Sequence, residues 1–317
     1  MFKEIAGKIE KAQNIIILTH INPDGDALGS SAGLKLALCK AGKNATVLLE
    51  KEVPQMFYVF GDNFSYGDYK GECDLVISVD CGDKERLGEC GKYVDMYETI
   101  NIDHHISNTL FGNLNYVDSK ASAAGEIIHE LISYLNIPFD KEIASMLYGA
   151  ILTDTGGFMF SNTTVRTHNI IAELISHGAD FYNLNKKLMI EKDFKRQKVT
   201  AQCIDKMEFF NNGKICVVMF DNEFCKKLSM NDEDLNGIAQ VPRTVSGVEA
   251  GVLISEINEG TVKVSLRSDE IIDVSKVAEK FGGGGHKRAS GIRFFGENIE
   301  NVKQKIISEL EKQLGVE

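Results

Sequence analysis

The sequence predicts an α/β protein with a doubly wound, mainly parallel sheet and a second, smaller α/β domain. Three observations carry this. In the first half, short apolar runs alternate with helical patterns, the mark of strands joined by helices on both faces of a sheet. In the second half, two alternating runs are separated by Asn258-Glu259-Gly260, a hairpin signal. Between the halves lies a charged helical stretch, NKKLMIEKDFKRQKVTAQCIDKM.

The elements follow in order. MFKEIAGKIEKAQ mixes charge with spaced apolar residues and reads as an amphipathic helix rather than a signal peptide. NIIILT (14–19) is a buried strand. Residues 27–41 carry small and apolar residues at helical spacing, with Gly42 closing the helix. Strands follow at ATVLLE (45–50), DLVISVD (74–80) and TINID (99–103). Helices fit 121–135, 140–153 and 167–177, the last closed by Gly178. The expected domains are 1–182, a helical connector 183–207, and 208–317. Within the last, KICVVMF (214–220), AGVLISEI (250–257) and TVKVSLR (261–267) are strands, VSKVAEKF (274–281) is a helix, and four glycines form a loop.

Composition limits the function. The chain has 317 residues, 43% of them apolar, which fits about two globular domains. It holds no apolar run of 18 residues, so no membrane span is expected. Seven cysteines without a CxxC pair fit reduced thiols in a cytoplasm. A net charge of −11 argues against a general basic surface gripping long nucleic acid. It leaves phosphate substrates open, because bound cations add local positive charge.

Chemistry-bearing residues cluster at the ends of apolar elements. Thr19-His20-Ile21-Asn22-Pro23-Asp24-Gly25-Asp26 follows the first strand, where ligands bind in a doubly wound sheet. Asp80 ends the apolar VISVD run, and Asp103-His104-His105 follows TINI. Asp154 follows MLYGAILT. Each aspartate alone could be a helix or turn cap. Together they are expected along one sheet edge, where clustered carboxylates would repel one another unless cations neutralise them. Asp24, Asp26, Asp80 and Asp154 carry four negative charges, which two divalent ions balance. The mixed His and carboxylate set favours Mn²⁺ over Mg²⁺, with Zn²⁺ and Fe²⁺ open on ligand type. Two ions about 3.5–4 Å apart could hold a bridging hydroxide and polarise a phosphoryl oxygen.

In the second domain, Gly282-Gly283-Gly284-Gly285-His286-Lys287-Arg288 offers backbone N–H groups to a phosphate and follows the run with cations. Arg267 is a second candidate phosphate clamp, and Arg243 a further candidate substrate contact. His129, His168 and His177 fall in helices without sequence-near carboxylates and read as structural or surface residues.

These residues resemble the DHH superfamily of phosphoesterases. The THINPDGDALGS segment, the VD at 79–80, the DHH at 103–105 and the TDT at 153–155 match its four motifs in order. GGGGHKRASG with SLRS resembles its DHHA1 C-terminal domain, so the match covers essentially the whole chain. The short two-domain layout is similar to bacterial nanoRNases that also dephosphorylate 3′-phosphoadenosine 5′-phosphate. The resemblance implies that His20, Asp24 and Asp80 hold one ion and that Asp26, Asp80, His104 and Asp154 hold the other. It implies that His105 contacts the reacting phosphate or acts as acid, and that Asp103 orients the histidine pair. Gly283, Gly284, Gly285, His286 and Arg267 would grip the far end of a short RNA or nucleotide. The alternative reading is a phosphodiesterase for cyclic dinucleotides or their linear products. A pyrophosphatase with the same first domain is disfavoured by the glycine run, and a long-strand exonuclease by chain length and charge. A catalytically silent nucleotide-binding regulator is disfavoured by the intact ligand set. A homodimer is compatible with all of these.

Overall fold

The computed structural model describes residues 1–315 and divides into two compact units, the first spanning Met1–Glu191 and the second starting at Lys192. In the first unit, helix α1 (Phe2–Lys11) buries Ile5 and Ile9 and leads into β1 (Asn14–Leu18). Helix α2 (Gly25–Lys40) and β2 (Asn44–Leu49) follow, then a 3₁₀ turn and β3 (Phe64–Tyr66). β4 (Leu75–Val79), α3 (Lys92–Met96), β5 (Thr99–Asp103) and β6 (Leu114–Val117) complete the sheet. Four helices close the unit: α4 (Ala124–Tyr134), α5 (Lys141–Asp154), α6 (Val165–Ser176) and α7 (Phe181–Leu184).

The strand order is β3-β2-β1-β4-β5-β6, with every pairing parallel. Alternate residues of the central strands enter two different cores. Ile15, Ile17 and Ile77 pack with α2, α4 and α5, whereas Ile16, Leu18 and Val76 pack with Leu87, Cys90 and Tyr93. Burial on both faces explains the unbroken apolar runs of the sequence. The order reverses between β1 and β4, the switch point where doubly wound sheets bind ligands beyond the strands' carboxyl ends. His20 follows β1 and Asp80 follows β4, so both stand at that point.

Helix α2 starts two residues earlier than the spacing predicts, because Asp24 caps it through Oδ1, which accepts from the N–H groups of Asp26 and Ala27. Gly25, Gly29 and Gly33 then form a stripe facing α5. A Cβ at Gly29 would lie 2.6 Å from the Met146 carbonyl oxygen, and one at Gly25 would lie 2.4 Å from Thr153 Cγ2. This close approach lets the start of α2 lie beside the end of α5. Gly29→Val is expected to lower unfolding free energy by about 2–3 kcal/mol, because a backbone oxygen cannot yield to the added side chain. Urea unfolding of metal-free protein measures this, and an unchanged midpoint would contradict the packing.

The second unit contains α8 (Phe194–Asp205), β7 (Glu208–Phe210), β8 (Ile215–Phe220), α9 (Asn222–Lys227) and α10 (Asp232–Ile238). Then come β9 (Ala250–Asn258), β10 (Thr261–Ser268), α11 (Val274–Lys280), β11 (Gly284–His286), β12 (Ala289–Phe295) and α12 (Ile299–Leu314). The mixed sheet runs β11-β12-β10-β9-β8-β7, and the expected hairpin joins β9 to β10 with Gly260 at φ +77°. The segment 183–207 is divided between the units: Leu184 and Leu188 belong to the first core, Val199 and Cys203 to an apolar cluster of the second. All seven cysteines are free thiols.

The four-glycine segment corrects the expected loop. Gly284–His286 form an edge strand on β12. A Cβ at Gly283 would lie 2.3 Å from the Gly291 carbonyl oxygen, so this glycine serves close strand packing. Gly285, at φ +143°, is pressed equally tightly against Ala289.

Candidate active site

Four elements deliver the site. After β1, His20 is buried, and its Nε2 lies 3.8 Å from Asp80 Oδ2 and 4.0 Å from Asp24 Oδ2. Asp24 combines two roles often treated as alternatives: Oδ1 caps α2, and the exposed Oδ2 turns to His20. Asp26, in the first turn of α2, is fully buried. Its carboxylate accepts from the Ala124 N–H at 2.6 Å, the Gly125 N–H at 3.0 Å and the Ser30 hydroxyl at 2.7 Å.

Asp80 follows β4 with φ +56°, a left-handed conformation uncommon for a residue bearing a side chain. Its Oδ1 lies 3.4 Å from His104 Nε2 and 3.6 Å from His105 Nδ1, while Oδ2 faces His20. After β5, His104 also reaches Asp26 at 3.8 Å and Asp154 at 3.7 Å. Asp154 arrives differently from the other carboxylates, as the last residue of helix α5 rather than from a strand end. Helix C-termini disfavour negative charge, so this position adds to the pressure for a cation.

Asp103 does not face the cluster. Its Oδ1 accepts from His105 Nδ1 at 2.7 Å and its Oδ2 from Asn108 Nδ2 at 2.6 Å. Its side chain thus orients one histidine of the pair. His104 is held instead by the Ala121 carbonyl, 3.3 Å from Nδ1. Each bond places the proton on Nδ1 and leaves Nε2 free.

The cluster is electrostatically unbalanced by itself. Burial and the neighbouring Asp26 raise Asp80 well above the ordinary aspartate range. Burial raises Asp26, with Asp24 adding to it. Burial and Asp26 push Asp154 up to about 7. Burial opposes charge on His104, yet the carboxylates of Asp80, Asp26 and Asp154 outweigh it and raise the ring to about 10. For Asp103 the bonds from His105 and Asn108 overcome burial and keep it below the ordinary range.

The residues fit divalent metal ions. His20, Asp24 and Asp80 form one ligand group and Asp26, His104 and Asp154 another, each with ligand atoms within 4.8 Å of one another. A third grouping, Asp80 with His104 and His105, overlaps both in position. Asp80 Oδ1 is buried without a hydrogen-bond partner, a costly state that a cation would relieve.

Four supporting groups escaped the sequence reading: Ser30, Asn108, Asn162 and the amides of Ala124 and Gly125. Only Ser30 left a signal, one helical turn after Asp26. His129, read as structural, finds a carboxylate from a different helix: Nε2 lies 3.2 Å from Glu173 of α6 while its ring stacks on Phe139.

In the second unit, Arg267, Ala289 and His286 are direct cross-strand partners on β10, β12 and β11. Such partners share a sheet face. Arg267 also pairs with Gly251, against whose Cα the Arg243 backbone is packed. Burial and nearby Arg243 depress the Arg267 guanidinium below its ordinary pKa, marking two cations held close together. Arg243 also donates to Asp269 at 3.2 Å. The Arg288 guanidinium is tied to the fold, donating to the carbonyls of Ile272 and Glu270.

Known proteins share this organisation. Residues 14–151 match the DHH family, N-terminal domain, and residues 212–312 match the DHHA1 domain. The probable bifunctional oligoribonuclease and PAP phosphatase NrnA of Streptococcus mutans is 33% identical over 96% of this chain and 97% of its own. The bifunctional oligoribonuclease and PAP phosphatase NrnA of Thermus thermophilus is 30% identical over 95% and 90%. The crystal structure of an exopolyphosphatase-related protein from Bacteroides fragilis superposes with a TM-score of 0.87 at 25% identity, covering 99% of this chain and 97% of that one. Matched along nearly its whole length by such a relative, and carrying both characteristic domains, the chain belongs to the DHH family.

Proposed function

We propose that the protein is a metal-dependent phosphoesterase that hydrolyses short oligoribonucleotides to mononucleotides and dephosphorylates 3′-phosphoadenosine 5′-phosphate. The observation that carries this is the convergence of His20, Asp24, Asp26, Asp80, His104 and Asp154 on one point at the β1/β4 switch of the sheet. The activities named for the Streptococcus and Thermus relatives supply the substrate class. Among the described residues no helix is long and apolar enough to cross a membrane.

His20, Asp24 and Asp80 would hold one divalent ion, and Asp26, Asp80, His104 and Asp154 the second, with Mn²⁺ favoured by the mixed donors. When bound, such ions lower the pKa of water and polarise a phosphoryl oxygen. The chain's own groups do the remaining work. Asp80, with its two oxygens aimed at different histidines, keeps the two ligand groups at a fixed separation. His105, with its Nδ1–H held by Asp103, would present Nε2 to the phosphate; only when Nε2 is also protonated could it pass that proton to the leaving oxygen.

In this reading Arg267, Arg243, His286 and the edge-strand backbone at Gly284 and Gly285 would bind the rest of the substrate, whereas Gly283, expected to join them, already donates its N–H to the Ala278 carbonyl at 2.9 Å. The metal groups need only a phosphate ester, so discrimination falls to groups touching the remainder. A substrate panel with Mn²⁺ tests the assignment: di- to pentaribonucleotides, 3′-phosphoadenosine 5′-phosphate, linear and cyclic dinucleotides, pyrophosphate and bis-p-nitrophenyl phosphate. Short RNA and 3′-phosphoadenosine 5′-phosphate are expected to turn over fastest. Preference for a cyclic dinucleotide or pyrophosphate would replace the proposal. Arg267→Ala and His286→Ala are expected to reduce kcat/KM on the nucleotides by roughly 10- to 100-fold, since a charge-assisted hydrogen bond contributes about 1.5–3 kcal/mol. Their effect on bis-p-nitrophenyl phosphate should be several-fold smaller. Equal losses on both would place these residues in the chemical step.

A further inference from the structure

Resting on the two-metal reading, we infer that Arg166 is a positioning residue for one of the two ion sites, acting through a buried Glu126 and the loop 118–125. Arg166 lies in the first turn of α6, twelve residues after Asp154 and further in sequence from the other five candidate ligands. Its guanidinium gathers three carboxylates: Asp118 Oδ2 at 2.6 Å, Glu130 Oε1 at 2.9 Å and Glu126 Oε2 at 3.4 Å. Glu126 is completely buried. A buried carboxylate needs such compensation, and its placement at the start of α4 makes it a lever on what precedes that helix.

Glu126 accepts from the Ser122 hydroxyl at 2.6 Å and the Ser122 N–H at 3.3 Å, which locks the turn entering α4. Thr167 Oγ1, beside Arg166 on α6, donates to Ser122 Oγ at 3.2 Å. Asn162 Nδ2, just before α6, donates to the Ser122 carbonyl at 3.0 Å and to the Asp154 carbonyl at 3.1 Å. The locked loop then touches the metal ligands directly. Ala121 receives His104 Nδ1, while Ala124 and Gly125 donate to both oxygens of Asp26.

The ligands reached this way are Asp26, His104 and Asp154, the same three that form one of the two ligand groups. The other group is held differently: His20 by the Ile21 carbonyl and Asp24 by the start of α2. The frame built on Arg166 therefore serves one ion site and leaves the other alone. Its effect is geometric, since among the described residues its guanidinium pairs with Asp118, Glu126 and Glu130 and with none of the six candidate ligands.

The test is Mn²⁺ binding to the full-length chain, followed by titration calorimetry and by electron paramagnetic resonance. The parent is expected to bind two ions whose spins couple. Arg166→Met should weaken one of them roughly 10- to 100-fold, the range for losing a group that orients a ligand, and leave the other unchanged. At limiting Mn²⁺ the coupled signal should give way to that of an isolated ion. Glu126→Gln, which keeps the Ser122 hydrogen bond, should show a smaller loss of the same site. His20→Ala should weaken the opposite site. If Arg166→Met fails to fold, Asn162→Ala, an exposed side chain on the same frame, should reproduce the selective loss. Two ions bound by these variants as tightly as by the parent, or both sites weakened alike, would overturn the inference. A parent that binds fewer than two ions would instead overturn the two-metal reading, whatever Arg166 does.

Discussion

Asp80→Ala is expected to remove phosphoesterase activity more completely than the loss of any other ligand, by on the order of a thousandfold or more. Asp80 aims Oδ2 at His20 of one ligand group and Oδ1 at His104 of the other. Its loss therefore disturbs both ion sites together. Metal activation supplies several kcal/mol to such reactions, and each 1.36 kcal/mol is tenfold in rate. Asp80→Asn keeps the shape and removes the charge, so it separates packing from electrostatics. Both variants should bind less Mn²⁺, and metal-free stability should hold steady, because a buried like-charge repulsion disappears with the carboxylate. Near-normal turnover with a full complement of metal in Asp80→Ala would end the bridging role.

Chelation at pH 8 is expected to reduce activity to background, and Mn²⁺ to restore it together with a higher melting temperature. The size of that thermal gain should grow with pH. In the metal-free chain Asp154 titrates at about 7 instead of 3.8, and His104 at about 10 instead of 6.5. Both folded-state values are raised, so the folded chain binds more protons than the unfolded one between each pair of values. Metal-free stability accordingly falls as pH rises, through 3.8 to 7 for Asp154 and through 6.5 to 10 for His104. Metal ligation requires both groups deprotonated, so binding expels protons and strengthens with pH. Below about pH 7 both Asp154 and His104 must release a proton, and above it His104 still must, so affinity should climb more steeply on the acid side. At a hundred times Kd, Mn²⁺ would add about 2.7 kcal/mol of stability. Equal melting shifts at pH 5.5 and 8.5, or full activity in chelator, would contradict the protonated cluster.

Much of this was legible from residue order. The four inner strands of the first sheet read directly, because burial on both faces demands largely unbroken apolar runs such as NIIIL and LVISV. The candidate ligands stood out as well, because a polar residue ending such a run has few reasons to be there. Three parts were not legible. The strands β3, β6, β7 and β11 are three or four residues long and lie at sheet edges, so their pairing comes from a neighbour rather than from their own pattern. GGGGH looks like a loop until Gly283 and Gly285 are seen pressed onto β12. Asp103 looks like a partner of both following histidines, yet its side chain turns to His105 and Asn108.

The sequence by itself determined the α/β class, the positions of the six candidate ligands and the presence of two domains, since periodicity and spacing are local properties. Only the tertiary structure decided which candidate ligands lie together and what holds them there. The glycine stripe of α2 carries Asp26 toward Asp154, the α4 amides grip Asp26, and Arg166 anchors the loop from forty residues away in the chain. These links join backbone and side-chain groups far apart in sequence. Their physical basis is compensation of buried charge, which depends on what surrounds a residue in space and leaves no periodic trace along the chain.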